Sequence, residues 1–187
     1  MKAIRTILIL VIVLTAYGCY SVKLSSYSPS ILMEGTGRVK VDEFRYLPAE
    51  KGVLKNNQID VRWGFSPIYS EIDIKNYVAD AVSKELKFIW YKLDPNSAII
   101  INGNIIEYSC DYIGGEFSPF TVKAKIEFVI SNNENGKTKE IYRRVHEGIH
   151  ITQKGITREY TLVVNEGLKK CIKSFVEDAQ KKKILQS

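Results

Sequence analysis

The 187-residue chain is poor in the side chains that carry most enzymatic and metal chemistry. It holds three cysteines and two histidines, and a four-ligand zinc site would use nearly all of them. The two histidines, His146 and His150, stand four apart in a stretch that alternates like a strand. That spacing separates them by about 13 Å along one face, so they read as two solvent-side residues rather than a metal pair. No Gly-x-Ser-x-Gly, His-Glu-x-x-His, P-loop or dinucleotide fingerprint occurs. The carboxylate pairs Glu71/Asp73 and Glu177/Asp178 fall on helix surfaces beside lysines, where solvation accounts for them better than acid–base work. The expectation is therefore no catalytic residue, no cofactor, no metal and no enzymatic activity. Nor does any apolar run approach the ~20 residues that span a bilayer.

What the sequence does have begins at its N-terminus. Lys2 and Arg5 supply positive charge, Ile7 to Leu14 is unbroken apolar sequence, and Thr15-Ala16-Tyr17-Gly18-Cys19 follows with small residues. A basic flank, a short apolar stretch and a small-residue cut site describe a secretory signal peptide over residues 1–18. The polar stretch from Ser21 to Ser26 comes too soon for a spanning helix. Removal of residues 1–18 leaves 169 residues, enough for one domain with a real core. Loss of Lys2 and Arg5 reduces the formal charge from +6 to +4. That modest excess, in an exported chain without a basic-aromatic motif, argues against nucleic acid as a partner. Lys181-Lys182-Lys183 is the one dense basic cluster. It reads as a solvated helix end favoured by the helix dipole, with attraction to anionic lipid as the alternative.

Ala16-Tyr17-Gly18-Cys19 resembles the lipobox of bacterial lipoproteins. It departs from the common pattern in having Ala16 where Leu is most frequent and the bulky Tyr17 next to it. The resemblance implies a diacylglyceryl group on the Cys19 thiol and cleavage just before that residue. Two or more acyl chains give stable attachment, at ~0.8 kcal/mol per buried CH₂. Tyr20 stands where an Asp would retain such a protein in the inner membrane of enteric bacteria. The implied location is thus the periplasmic face of the outer membrane, with the inner membrane as the alternative.

Beyond Cys19, residues 19–36 are rich in Ser and Tyr and read as a lipidated tether, leaving 37–187 as a single domain. Gly37 to Tyr46 alternates as a first strand, and Ile59, Val61 and Trp63 suggest a short second one. Ile74, Val78, Ala81, Val82, Leu86 and Ile89 form one stripe of a helix over about 71–91. In Ala98 to Tyr112 the apolar phase slips near Ile105-Ile106, as a β-bulge would require. Phe120 to Ser131 has one dry and one wet face. Asn132 to Gly136 turns the chain, and Lys139 to Thr152 returns it with Ile141, Val145, Ile149 and Ile151 in phase. A last helix covers about 158–183, weakened by Gly167. The order β-α-β-β-β-α predicts an α+β fold of two layers: a mostly antiparallel sheet of three to five strands with two helices packed on one face.

Two further features bear on function. Cys110 and Cys171 are an even pair in an oxidising compartment, and both a disulfide and two buried free thiols are open readings. Trp63, Phe65, Tyr112 and Phe117 lie in or beside loops, where they either offer a contact patch to a protein partner or close the ends of the core. The mature chain also loosely resembles small outer-membrane lipoproteins of the YajG type and the auxiliary lipoproteins of envelope ABC transporters. The shared pattern is the element order and an amphipathic helix such as Tyr77-Val78-Ala79-Asp80-Ala81-Val82. The resemblance implies a lipid-anchored, non-catalytic binding or assembly module of the cell envelope. A small-ligand or lipid-binding lipoprotein is the alternative, and an unrecognised periplasmic enzyme is the second alternative.

Overall fold

In the computed structural model the described residues are 22–62, 67–112, 119–134, 136–152 and 160–185. Eight strands and three helices follow in the order β1 (Val22–Lys23), β2 (Arg38–Tyr46), α1 (Leu47–Glu50), β3 (Gln58–Arg62), β4 (Ile68–Tyr69), α2 (Ile74–Phe88), β5 (Lys92–Leu93), β6 (Ile99–Tyr112), β7 (Phe120–Glu134), β8 (Lys137–Thr152) and α3 (Tyr160–Lys181). The three long strands β6, β7 and β8 form an antiparallel meander. The N-terminal half of β6 pairs in parallel with β2 and its C-terminal half with β3, so these two strands lie end to end along one edge of β6. Strand β5 lies in parallel beside β2, and β4 and β1 extend the sheet beyond β3.

The sheet is therefore mixed, which corrects the expected mostly antiparallel sheet of three to five strands. The reason is the crossover: between β2 and β6 the chain traverses α2, and a strand that returns through a helix lies parallel to the strand it left. The helix count rises from two to three through the single turn α1. The two-layer arrangement holds. Helix α2 packs over β2 and α3 over β7 and β8, on one face. Between the layers lie Phe44, Ile101, Ile105, Tyr108, Ile126 and Phe128 from the sheet, with Val78, Val82, Leu168 and Phe175 from the helices, all buried. Phe128 and Phe175 stack with ring centroids 4.0 Å apart.

The phase slip in β6 is a bulge at Ile106, where the register with β7 shifts between Ile105 and Glu107. The return strand is the reverse of expectation. In β8 the residues facing the helices are Tyr142, His146 and Gly148, all buried, while Ile141, Val145, Ile149 and Ile151 face outward and are 39–58% exposed. The two histidines accordingly lie on the helix side. Aliphatic content pointed one way, but period 2 offers two phases and only packing chooses between them.

Packing chooses through glycine. A Cβ on Gly148 would stand 2.2 Å from the carbonyl oxygen of Gly167 and 2.3 Å from the amide nitrogen of Cys171. The backbones of β8 and α3 touch there, and only hydrogen fits between them. Gly167, which weakens the helix by its propensity, is thus the partner of a close approach. Gly148→Ala is expected to force the layers apart and destabilise by about 3 kcal/mol. Gly167→Ala meets chiefly the Cγ1 of Val122 at 2.7 Å and regains about 1 kcal/mol of helix propensity, so thermal melts should rank it the milder. Equal melting temperatures for the two variants would refute the close-contact account.

Candidate interaction surface

Residues 22–36 of the segment expected to be a tether are folded onto the domain. Strand β1 pairs with β4, and the following residues run along α2 toward its C-terminal end. Leu24, Tyr27 and Ile31 are buried. The hydroxyl of Tyr77 reaches the carbonyl of Ser25 at 2.8 Å and the amide of Asn165 on α3 at 2.5 Å. About two turns further along, the fully buried carboxylate of Glu85 accepts hydrogen bonds from Tyr27 Oη (2.6 Å), from the amide of Ser30 (3.2 Å) and from the amide of Ile31 (3.1 Å). Burial and the Glu85 carboxylate both push the Tyr27 hydroxyl far above its ordinary pKa, so it remains a donor. The strap ends where the amide of Gly35 donates to the carbonyl of Ile89 (2.7 Å).

That end of α2 carries an unusual residue. The amide of Tyr91 donates to the carbonyl of Leu86 at 2.9 Å, and that of Trp90 to the carbonyl of Lys87 at 3.1 Å. These two bonds make a Schellman motif with Trp90 at the position glycine usually fills. Trp90 has φ +80°, a left-handed conformation that costs an L-residue roughly 1–2 kcal/mol, and it is rare for a bulky side chain. Its indole is not repaid by burial, since the residue is 78% exposed. Phe88 and Leu32, the latter 89% exposed, stand with it. Ile31, Leu32, Met33, Glu34, Phe88 and Trp90 line a common surface cleft. Helix α3 ends in the same motif, with Lys183 in the left-handed position, but a solvated lysine there presents no apolar surface.

A second cluster joins β8 to α3. Tyr142 Oη lies 2.6 Å from His146 Nε2 and 2.8 Å from Asp178 Oδ2, and His146 Nδ1 lies 3.0 Å from Ser174 Oγ. Lys182 donates to Asp178 at 2.8 Å, and this bond is the main reason the Asp178 carboxyl sits below its ordinary range. Burial lowers the pKa of His146. A neutral imidazole with its proton on Nε2 satisfies every partner in turn: Ser174 donates to Nδ1, Nε2 donates to Tyr142, and Tyr142 donates to Asp178. A serine next to a histidine invites a nucleophilic reading. However, His146 is 8% exposed and edged by the rings of Phe128 and Phe175, so the chain of bonds serves as a polar brace between layers.

The residues singled out from the sequence fall elsewhere. Cys19, Trp63, Phe65 and Phe117 lie outside the described residues. Tyr112 ends β6 opposite Phe120. Cys110 and Cys171 are both buried and free, so the disulfide reading is not realised. Cys171 on α3 donates its thiol to the carbonyl of His146 on β8 (3.3 Å), while Cys110 sits on β6, two strands away. Burial raises both thiols, that of Cys171 to about 12. Trp90 falls within the helix expected over about 71–91, whereas the helix ends at Phe88; the one signal for it in the sequence is a large aromatic immediately after the last turn.

No protein-family model matches the sequence, and no curated protein matches it closely enough to mark a relative. The fold is shared with known structures. The chain is similar to protein XCC0632 from Xanthomonas campestris, described as DUF330. The TM-score is 0.59 at 9% identity, covering 87% of this chain and 99% of XCC0632. The hypothetical protein CT253 from Chlamydia trachomatis follows, with TM-score 0.50 at 10% identity over 78% of this chain and 96% of that one. A minor lipoprotein from Acinetobacter baumannii gives TM-score 0.44 at 8% identity, covering 80% and 95%. At such identities XCC0632 and CT253 establish the architecture and nothing about chemistry. Among the described residues, no helix is long and apolar enough to cross a membrane.

The polar brace has a pH signature. His146 and His150 both titrate below the ordinary 6.5, chiefly because of burial. The unfolded chain therefore takes up protons first as the pH falls, and stability is lost from about pH 6.5 downward, through the lowered folded values. Urea midpoints should drop between pH 7.5 and 5.5, and His146→Gln should flatten part of that slope. A midpoint independent of pH over this window would contradict the burial of the imidazole.

Proposed function

We propose that this chain is a lipid-anchored, non-catalytic binding module of the bacterial cell envelope, which docks a protein partner through the surface around Trp90. The observation that carries the reading is Trp90 itself: a large aromatic held exposed, in a backbone conformation that disfavours it, at a helix end where glycine would be more stable. Local strain of this kind marks sites retained for use rather than stability, and exposed Trp is the side chain most enriched at binding hot spots. Phe88 and Leu32 supply the apolar surroundings that such an anchor needs.

The strap supports the arrangement. Val22, the first described residue, lies near the N-terminal end of α2, and the Trp90 surface lies at the other end of that helix. Fifteen residues of helix separate the two ends by about 22 Å. A lipid on Cys19, three residues before Val22, would hold the first end at the membrane and present the second to the periplasm. The lipobox-like Ala16-Tyr17-Gly18-Cys19 supports the anchor, and the absence of Asp after it favours the outer membrane. A role as an accessory to envelope transport fits the resemblance of the mature chain to auxiliary lipoproteins. Among the described residues, the core positions between sheet and helices are occupied by side chains, which favours a docking module over a lipid carrier.

Two measurements test this. Trp90→Gly is expected to raise stability by roughly 1 kcal/mol while abolishing co-purification of the partner from detergent-solubilised envelopes. A destabilised variant with undiminished co-purification would make Trp90 a structural residue and end the docking account. Cys19→Ser is expected to move the protein from the membrane to the soluble fraction and to remove fatty acyl mass from it. Unchanged membrane sedimentation, with no acyl mass on the natural chain, would end the anchor account.

A further inference from the structure

The outer face of the sheet carries rows of charge that alternate in sign from strand to strand. Arg62 on β3 lies 3.1 Å from Glu107 on β6, Glu107 lies 3.2 Å from Lys123 on β7, and Lys123 lies 3.2 Å from Glu147 on β8. A second row has Asn104 on β6 donating to Glu127 on β7 at 2.6 Å, with Arg143 on β8 at 2.9 Å from the same carboxylate. The first row ends in an anion and the second in a cation. Both ends stand on β8, which pairs with β7 alone among the described strands.

An edge strand of 16 residues is a ready template for another strand, and proteins commonly blunt such edges. Here the outward residues are Ile141, Arg143, Val145, Glu147, Ile149 and Ile151. The order is self-complementary about Val145. If a second copy of β8 pairs antiparallel around a two-fold axis through Val145, that residue meets its own counterpart. Arg143 then faces the partner's Glu147, and Ile141 faces the partner's Ile149. A register shifted by one step in either direction sets both charges against aliphatic side chains. The next shift sets Arg143 against Arg143, or Glu147 against Glu147. A shift that reverses the pleat exchanges the two faces of one copy. Of these registers, only the one centred on Val145 sets Arg143 against Glu147 and Ile141 against Ile149; Ile151 falls opposite the charged start of the strand, Lys139 and Glu140, beyond the register shift at Ile141.

We propose that β8 is a homodimer seam, across which two copies join edge to edge into one continuous sheet. The charge row Arg62, Glu107, Lys123, Glu147 then runs on through the partner's Arg143 and Glu127 with its alternation unbroken. Lys170, which caps the carbonyl of Ile149 at this edge (2.9 Å), is displaced on pairing. This seam does not depend on lipid at Cys19 or on the Trp90 surface.

Sedimentation of the full chain in mild detergent, at tens of micromolar, should give twice the protomer mass. Arg143→Glu alone places two carboxylates face to face, and Glu147→Arg alone two cations, so each variant should sediment as a monomer. An equimolar mixture of the two should recover dimers, because in the mixed pair both contacts are again between opposite charges. Val145→Cys gives an independent readout in the otherwise natural chain. Cα atoms directly opposite each other stand about 4.5–5.5 Å apart, within disulfide range. Air oxidation should therefore yield a covalent dimer that the parent chain does not form. A monomeric natural chain, single variants that dimerise as well as it does, a mixture that stays monomeric, or no extra cross-link from Val145→Cys would each overturn the proposal.

Discussion

The carboxylate of Glu85 is the constraint on which the arrangement of this molecule depends. It is fully buried in the last turn of an amphipathic helix, and its partners are all donors: one tyrosine hydroxyl and two backbone amides of the strap. Burying a carboxylate without partners is prohibitive, so the residue is tolerable only while the strap is in place. The strap in turn has few other ways to satisfy the Ser30 and Ile31 amides. Each side holds the other. With the strap fixed, Ile31 enters the core, Leu32 turns outward, and the C-terminal end of α2 gains the neighbours that make its exposed surface apolar.

The rest of the core is built around two kinds of close contact. Over β2, α2 packs through an aliphatic stripe of ordinary depth. Over β7 and β8, α3 comes down until backbone meets backbone at Gly148 and Gly167. The polar brace of Ser174, His146, Tyr142 and Asp178 closes the neighbouring gap, where side chains too large for the glycine contact must still find partners. One layer is therefore held by burial and the other by burial plus a saturated polar chain, which is why histidine is found inside and isoleucine outside on the same strand.

Much of this was legible from the residues. The stripes of α2 and α3, the dry face of β7 and the bulge in β6 all follow from apolar period alone. The phase of β8 was not, because Ile141, Val145, Ile149 and Ile151 satisfy a strand pattern equally well on either face, and the deciding residue is a glycine with no hydropathy to read. The strap was hidden by its Ser- and Tyr-rich composition, which looks like linker until Glu85, some 55 residues away, supplies acceptors for it. Trp90 was hidden in a different way: helical period carries no sign of a left-handed residue, and that signal exists only in the backbone angle. The aromatic residues that did stand out, Trp63, Phe65 and Phe117, fall outside the described residues.

The account is tested most directly by amide hydrogen exchange at Ser30 and Ile31. If Glu85 fastens the strap, these two amides exchange as slowly as the interior of the sheet. In Glu85→Gln, which keeps one acceptor and introduces a donor facing donors, exchange across the strap accelerates while β7 remains protected. Fast exchange at Ser30 and Ile31 in the natural chain, or protection unchanged by the substitution, would contradict the claim that one buried carboxylate holds the strap to the fold.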